Sequence, residues 1–434
     1  MKNRVTEQFT KFMRAEYMKN VFTLMAGTLI GQALVFVLAP FITRLFTPED
    51  FTLLEQYTMI ITVLSVVVTG KYEFAIMHPK EQNDARHIAG LALKVAFYSC
   101  VVLAILILFL AKDISYWLMN ESIAIYLWTI PIVLFFTAVF NVFNYWFSRL
   151  KQYKIAANSK VLSAVSSEPI KIATGFGGWG PSGLIFSTVI GSIAAGTYAF
   201  WKFLKSEPEG LKNLSAERMK ALAVLHKDYP MFSIWGSILN RLAQWAHVGI
   251  FTLYYGLVAV GFMALCRRIF MAPLNVVSNS YSQVFFQRIS EIEDPKELRA
   301  LYYKVLIRFL IAAAGMIFIV QMLPANTMGF IFGEAWGNSF MYLKYLIFWF
   351  ALNFVTSSLA FITYRIKMQR VGLFLDALHF VLAILAVYLA HSWGMNELEA
   401  TKILVISKFI YFSFNILVVL FYMERYVRKN HKEA

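Results

Sequence analysis

The sequence predicts an all-α polytopic membrane protein of twelve transmembrane helices with both termini cytoplasmic. Three observations carry that expectation. Of 434 residues, 59% are hydrophobic and only 15% charged, with mean hydropathy +0.60, whereas soluble domains carry about 25% charged residues. Twelve apolar runs reach the roughly 17–25 residues that a membrane-spanning helix requires. Lysine and arginine alternate between the connections joining those runs, as the positive-inside rule demands.

In chain order the runs are Val21–Phe46, Phe51–Val68, His87–Ala111, Ser122–Phe147, Ile155–Gly175 and Gly183–Phe203, then Tyr229–Tyr255, Gly256–Gln283, Val305–Leu323, Phe340–Ile366, Val371–Ala390 and Leu404–Tyr422. With a cytoplasmic N-terminus, the inside connections and tails hold 29 of the 40 Lys and Arg residues. The outside loops hold only Arg44, Lys112, Lys171 and Lys402. The N-terminal "MKNRVTEQFTKFMRAEYMKN" is basic and lacks a small-residue cleavage site, so it reads as a retained cytoplasmic segment. The longest connection, Lys202–Lys227, contains "LSAERMKALAVLHKDY", an amphipathic helix with Ser215 as its N-cap. It divides the chain into residues 1–205, a linker 206–227 and residues 228–434. Six spans on each side fit two parallel bundles.

Composition also excludes chemistry. The net charge of +15 is scattered over short loops and does not form a nucleic-acid patch. Cys100 and Cys266 lie in apolar runs without metal-ligand neighbours, so no metal site and no cofactor is expected. There is no phosphate-cradling G-x-x-x-x-G-K-[ST], no H-E-x-x-H and no G-x-S-x-G. "GFGGWGPSG" at 175–183 reads as a tight outer turn between two spans. The outer loops are too short to form an enzyme site for two substrates. Any driving energy would come from a proton or sodium gradient.

Seven basic residues remain inside spans. Lys94, Arg308, Lys344 and Lys408 lie toward span ends, where their stems snorkel to the headgroups. Arg241 in "SILNRLAQWAHVGI" and the pair Arg267–Arg268 in "ALCRRIFMAP" lie deep. Adjacent helical side chains diverge by about 100°, so one arginine of the pair faces a cavity and the other meets a neighbouring helix or a carbonyl. The only deep acids noted, Glu55 and Asp376, do not match the depth of the arginines, which argues against an internal salt bridge. The three arginines therefore read as ligands for an anion in a water-filled cavity, because guanidinium groups make forked bonds to phosphate oxygens. Asp376 and His379 share one face in "FLDALHF" and are candidates for ion coupling or for interhelical hydrogen bonding. The aromatics Trp128, Tyr145, Trp146, Trp235 and Trp245 read as belt or packing residues, with stacking on sugar rings as the alternative.

An ordered series of motifs then stands out: "TRLFTPEDF" (43–51), "GKYEFAIMHP" (70–79), "KDYPMFS" (227–233), "VGFMALCRRIFMAP" (260–273), "SQVFFQRISE" (282–291) and "FGEAWGNS" (332–339). The series resembles the polysaccharide-transporter branch of the multidrug/oligosaccharidyl-lipid/polysaccharide (MOP) exporter superfamily, the O-antigen flippases. The resemblance implies two six-helix lobes around a central cavity in a bacterial plasma membrane. It implies alternating-access movement of an undecaprenyl-diphosphate-linked glycan from the inner to the outer leaflet, beside other polysaccharide-assembly membrane proteins. Within it, Arg267 and Arg268 occupy the eighth-helix motif. Arg44 and Glu49 belong to a loop motif with a capping and gating role. Arg241 rests on depth alone. The alternatives are a drug or cation exporter of the same superfamily, whose cargo calls for deep acids, and a membrane-bound glycan polymerase, which calls for larger outer loops.

Overall fold

A computed structural model describes residues 31–431 except 209, 213 and 367. The basic N-terminal segment and the start of the first expected span lie outside the described residues. All regular structure among the described residues is helical. The first span contributes α1 (Gly31–Thr43). Then follow α2 (Pro48–Val68), α3 (Gln82–Trp117), α4 (Ile130–Arg149), α5 (Tyr153–Phe176) and α6 (Pro181–Ser206). The linker forms α7 (Ala216–Leu225). Beyond it come α8 (Ile234–Tyr255), α9 (Leu257–Glu291), α10 (Pro295–Met322), α11 (Ser339–Ser358), α12 (Gln369–Ser392) and α13 (Glu397–His431).

The expected spans thus overlap helices, the first of them from residue 31 onward, and among the described residues nine helices are both long and apolar enough to cross a membrane. Helices α5 and α8 have the length but carry polar side chains along it, among them Lys160, Glu168 and Lys171 on α5 and Asn240, Arg241, Gln244 and His247 on α8.

Local chemistry sets the helix ends. Pro48, Pro181 and Pro295 stand in first turns, where a missing N–H is harmless and φ is already helical. The Asp294 side chain accepts from Lys296 N at 2.9 Å, and Ser215 Oγ accepts from Arg218 N at 3.3 Å, the cap expected for α7. The glycine-rich turn closes in four residues between α5 and α6, with Gly178 and Gly180 at positive φ. Within α9, Arg267–Met271 form a π turn. Pro273 offers no N–H to the Ile269 carbonyl and crowds it; the wider i→i+5 turn absorbs that mismatch.

The chain divides into two compact units. One gathers residues 31–38 and 57–238, the other residues 39–56 and 239–431. In the first unit, small residues permit close helix approach, as is usual where no hydrophobic force drives helices together. A Cβ on Gly196 of α6 would lie 2.6 Å from the Phe136 carbonyl oxygen of α4. The fully buried Phe143, Trp146 and Phe203 form its aromatic core, with ring centroids at 4.5 Å for Phe143–Phe203 and 5.2 Å for Trp146–Phe203. In the second unit, Gly261 of α9 sits against the backbone of Pro48 at the start of α2. The buried Trp336 donates to the Thr43 carbonyl at 2.7 Å and meets the Phe51 ring edge-on at 4.8 Å.

Candidate functional site

The second unit holds a cluster of charged and aromatic groups built from α2, α8, α9, α11, α12 and α13. Its register begins at the Gly261–Pro48 contact. Arg267 follows Gly261 by six residues and Glu55 follows Pro48 by seven. At 1.5 Å per residue both side chains arrive about 10 Å along their helices. Arg267 Nη1 meets Glu55 Oε1 at 2.8 Å, with side chains 14% and 16% exposed. The depth mismatch expected from the sequence is therefore corrected: α2 starts at Pro48, and its contact with α9 aligns the acid with the arginine. Arg267 also donates to His247 Nε2 at 3.4 Å, and its guanidinium lies 4.2 Å over the Trp245 ring. Arg268 turns toward the same helix α2, 5.9 Å over the Phe51 ring. Phe51 and Glu55 are one turn apart on α2, so both arginines of the π turn address one helix face.

Arg241 is exposed and forms no hydrogen bond or ion pair with another described residue. It lies one turn before Trp245, on the same face of α8. Arg241 and Trp245 are thus neighbours along α8, and Arg267 covers the indole from α9. This supplies what an anion site requires: fixed donors on rigid helices and charge in excess of the local acids.

The second half of the cluster departs from the sequence reading. Asp376 and His379 do not bond to each other. Asp376 Oδ1 accepts from Asn240 Nδ2 at 3.1 Å, and Asn240 in turn accepts from Gln244 at 2.7 Å. His379 Nε2 lies 2.7 Å from Lys408 Nζ and its ring stacks on Tyr411 at 4.2 Å. Lys408 does not snorkel. It is 1% exposed, donates to the Ala243 carbonyl at 3.4 Å and lies 5.2 Å over the Trp349 ring. The His247 ring meets the same Trp349 edge-on at 5.1 Å. Sequence reasoning missed Lys408 because the span was placed from Leu404, close to the lysine, whereas α13 begins at Glu397.

The loop motif is also redistributed. Thr47 N donates to Asp50 Oδ2 at 2.9 Å and Asp50 N donates to Thr47 Oγ1 at 3.3 Å, a reciprocal capping box. The capping role falls to this pair and not to Glu49, which is exposed. Arg44 donates to the Phe330 carbonyl at 3.1 Å, tying the loop to the segment before "FGEAWGNS".

The first unit carries a separate cavity of about 440 Å³ bounded by α1, α4, α5 and α6. Gln32, Thr137, Lys160, Ser163, Ser167 and Glu168 are among its walls. Glu168 is a buried acid that the sequence reading did not weigh, and Lys171, assigned there to an outer loop, is buried in α5 and donates to Glu168 at 2.5 Å. Between α2 and α3, outside the spans, Glu73 is 5% exposed and accepts from the Thr69 hydroxyl. Burial lifts its carboxyl above the usual carboxylate range, against the opposing pull of Thr69 and Lys71. Among the described residues no three His, Cys, Asp or Glu side chains gather in a metal-binding group.

Residues 41–341 match the family model described as polysaccharide biosynthesis protein. No curated protein matches the sequence significantly. Among solved structures, a multidrug resistance MATE family transporter of the MOP superfamily, in its inward-facing conformation, superposes with TM-score 0.67 at 14% identity, over 94% of this chain and 99% of that one. The lipid II flippase MurJ, in an inward closed conformation, superposes with TM-score 0.69 at 10% identity, over 94% of this chain and 90% of that one. A MOP superfamily transporter from Pyrococcus furiosus, described as having a binding pocket of reversed polarity, gives 0.59 at 15% identity, over 94% and 96%. The chain is thus a multi-pass membrane protein with the MOP transporter fold, and it belongs to the polysaccharide biosynthesis protein family.

Proposed function

We propose that the protein is a flippase, a transporter and not an enzyme, that moves an undecaprenyl-diphosphate-linked oligosaccharide from the inner to the outer leaflet of a bacterial plasma membrane by alternating access. The observation that carries this reading is the surplus of guanidinium charge about Trp245, with Arg267 over its ring and Arg241 one turn along α8. Arg267 is held in place by Glu55, and Arg241 has no partner among the described residues. A cationic drug would be repelled by this cluster, which sets Arg241, Arg267, Arg268 and Lys408 beside the acids Glu55 and Asp376. A diphosphate would be bound through charge-assisted forks. Membership of a polysaccharide biosynthesis family supports a glycan as the other end of the cargo. The hydroxyls and amide around the cavity of the first unit suit sugar hydroxyls.

The test is the leaflet location of lipid-linked oligosaccharide in cells depleted of the protein. Complete repeat units accumulating on the cytoplasmic face, cleared by the wild-type chain and not by Arg241→Ala, are the expected result. Normal translocation with unpolymerised repeats on the outer face would replace the flippase reading with that of a polymerase.

A further inference from the structure

Lys408 is a primary amine in the middle of a membrane protein, and among the described residues no carboxylate lies within ion-pair distance of it. Its neighbours are an imidazole nitrogen at 2.7 Å, a backbone carbonyl at 3.4 Å and an indole face at 5.2 Å. It is 1% exposed and His379 is 6% exposed. A charge buried in this way is expensive, and ionisable groups inside membranes persist where they act.

The 2.7 Å contact limits what the two groups can carry. One nitrogen must donate and the other must offer a lone pair. If Lys408 is an ammonium, His379 Nε2 is the acceptor and the imidazole is neutral. If His379 carries the extra proton, Lys408 is a neutral amine. The pair therefore holds at most one positive charge while the contact lasts. That charge sits among others. Helix α8 presents His247 and the Ala243 carbonyl, α9 presents Arg267, and α2 presents Glu55 behind it. Helix α11 presents Trp349, α12 presents Asp376 one turn from His379, and α13 presents Tyr411. His247 is common ground: it accepts from Arg267 and rests on the Trp349 that Lys408 also covers.

We propose that Lys408 and His379 form a single-proton site whose charge sets the affinity of the Arg241–Arg267 cluster for its anionic cargo. With the proton, the cluster carries one more positive charge and holds a diphosphate. Without it, the Glu55–Arg267 pair is internally neutral and the hold weakens. Linkage is reciprocal: binding the anion must draw a proton onto the pair by the same factor that the proton favours the anion. The step is a plain acid–base exchange, with the proton taken from and returned to solvent. This inference rests on the cargo reading above.

The test uses the full-length protein in nanodiscs and farnesyl diphosphate as the probe, at pH 8 to 9, where the diphosphate's own ionisation is complete. Calorimetry in buffers of different ionisation enthalpy counts protons taken up on binding. The wild type should take up close to one proton per diphosphate and lose affinity by roughly tenfold per pH unit. Lys408→Arg fixes the charge, since a guanidinium does not deprotonate in this range; it should bind with no uptake and no pH dependence. Lys408→Met should bind weakly at every pH, and Lys408→Arg keeps the test decisive if the methionine variant fails to fold. Wild-type binding without proton uptake would overturn the proton site and leave the cargo reading standing. No binding of the diphosphate lipid by the wild type would overturn both.

Discussion

Gly261→Ala should uncouple the ion pair two turns away. A Cβ at this position would lie 2.6 Å from the Pro48 carbonyl carbon, where ordinary contact begins at 3.4 Å. The obstacle is backbone, so no rotamer relieves it, and α9 must move from α2 by about 1 Å. Carried along two rigid helices, that shift stretches the 2.8 Å contact between Arg267 and Glu55 to about 3.8 Å. At an effective dielectric of about 20, the lost attraction is about 1.5 kcal/mol. Overpacking adds about 1–3 kcal/mol. The assay is a double-mutant cycle read by thermal unfolding in detergent, with Gly261→Ala, Glu55→Gln and the double variant. If the glycine acts through the pair, Glu55→Gln is about 1 kcal/mol less damaging in the alanine background than in the wild type. Additivity within about 0.5 kcal/mol would refute the register argument, and a Gly261→Ala protein as stable as the wild type would refute the close approach itself.

Three further expectations follow, two in the arginine cluster and one at Glu73 outside it. Arg267→Ala strands Glu55 in a poorly hydrated site and should lower stability by about 3 kcal/mol, with Arg267→Ala/Glu55→Gln recovering part of the loss in the same unfolding assay. Arg241→Ala, which breaks no ion pair, should leave the melting temperature within about 1 °C while abolishing complementation of polysaccharide export; Arg241→Lys should restore part of it, keeping charge without the fork. Because burial raises the Glu73 carboxyl, its folded form holds a proton more tightly than the unfolded chain. That contribution to stability is present below the ordinary Glu range of about 4.3 and is lost as pH rises through the raised value. The difference in melting temperature between Glu73→Gln and wild type should therefore grow in favour of the variant as pH climbs from about 4 toward neutrality, and a constant difference would show that the carboxyl is not perturbed.

Helix positions were legible in the sequence because twenty apolar residues in a row leave the backbone one way to satisfy its hydrogen bonds in lipid. Depth was not. Hydropathy marks where a run is apolar, not where the helix starts, and helices extend past the run on polar turns. Starting α2 at Phe51 and α13 at Leu404 displaced Glu55 and Lys408 enough to deny the first its partner and give the second a route to the headgroups. The i,i+3 spacing of Asp376 and His379 was read correctly as one face, yet that face meets two neighbours, Asn240 on α8 and Lys408 on α13, which no single-helix argument separates. The ordered motifs were better guides than their individual residues. "TRLFTPEDF" and "FGEAWGNS" close on each other through Trp336 and Thr43, and "GKYEFAIMHP" and "KDYPMFS" through His78 and Tyr229, 2.5 Å apart. Long-range pairing of this kind leaves its trace only in the series.

The π turn at Arg267–Met271 has a consequence for how this chain is compared with others. A turn closed by i→i+5 bonds holds one residue more than a turn of α-helix. Delete one residue there and the helix closes normally, and every side chain from Ala272 to Glu291 keeps its side of the rod, because the wide turn had already absorbed the extra residue. A relative with an uninterrupted helix would therefore align across this point only with a one-residue gap. With that gap its downstream residues look out from the same side of the rod as their counterparts here, and aligned without it each would be misplaced by about 100°.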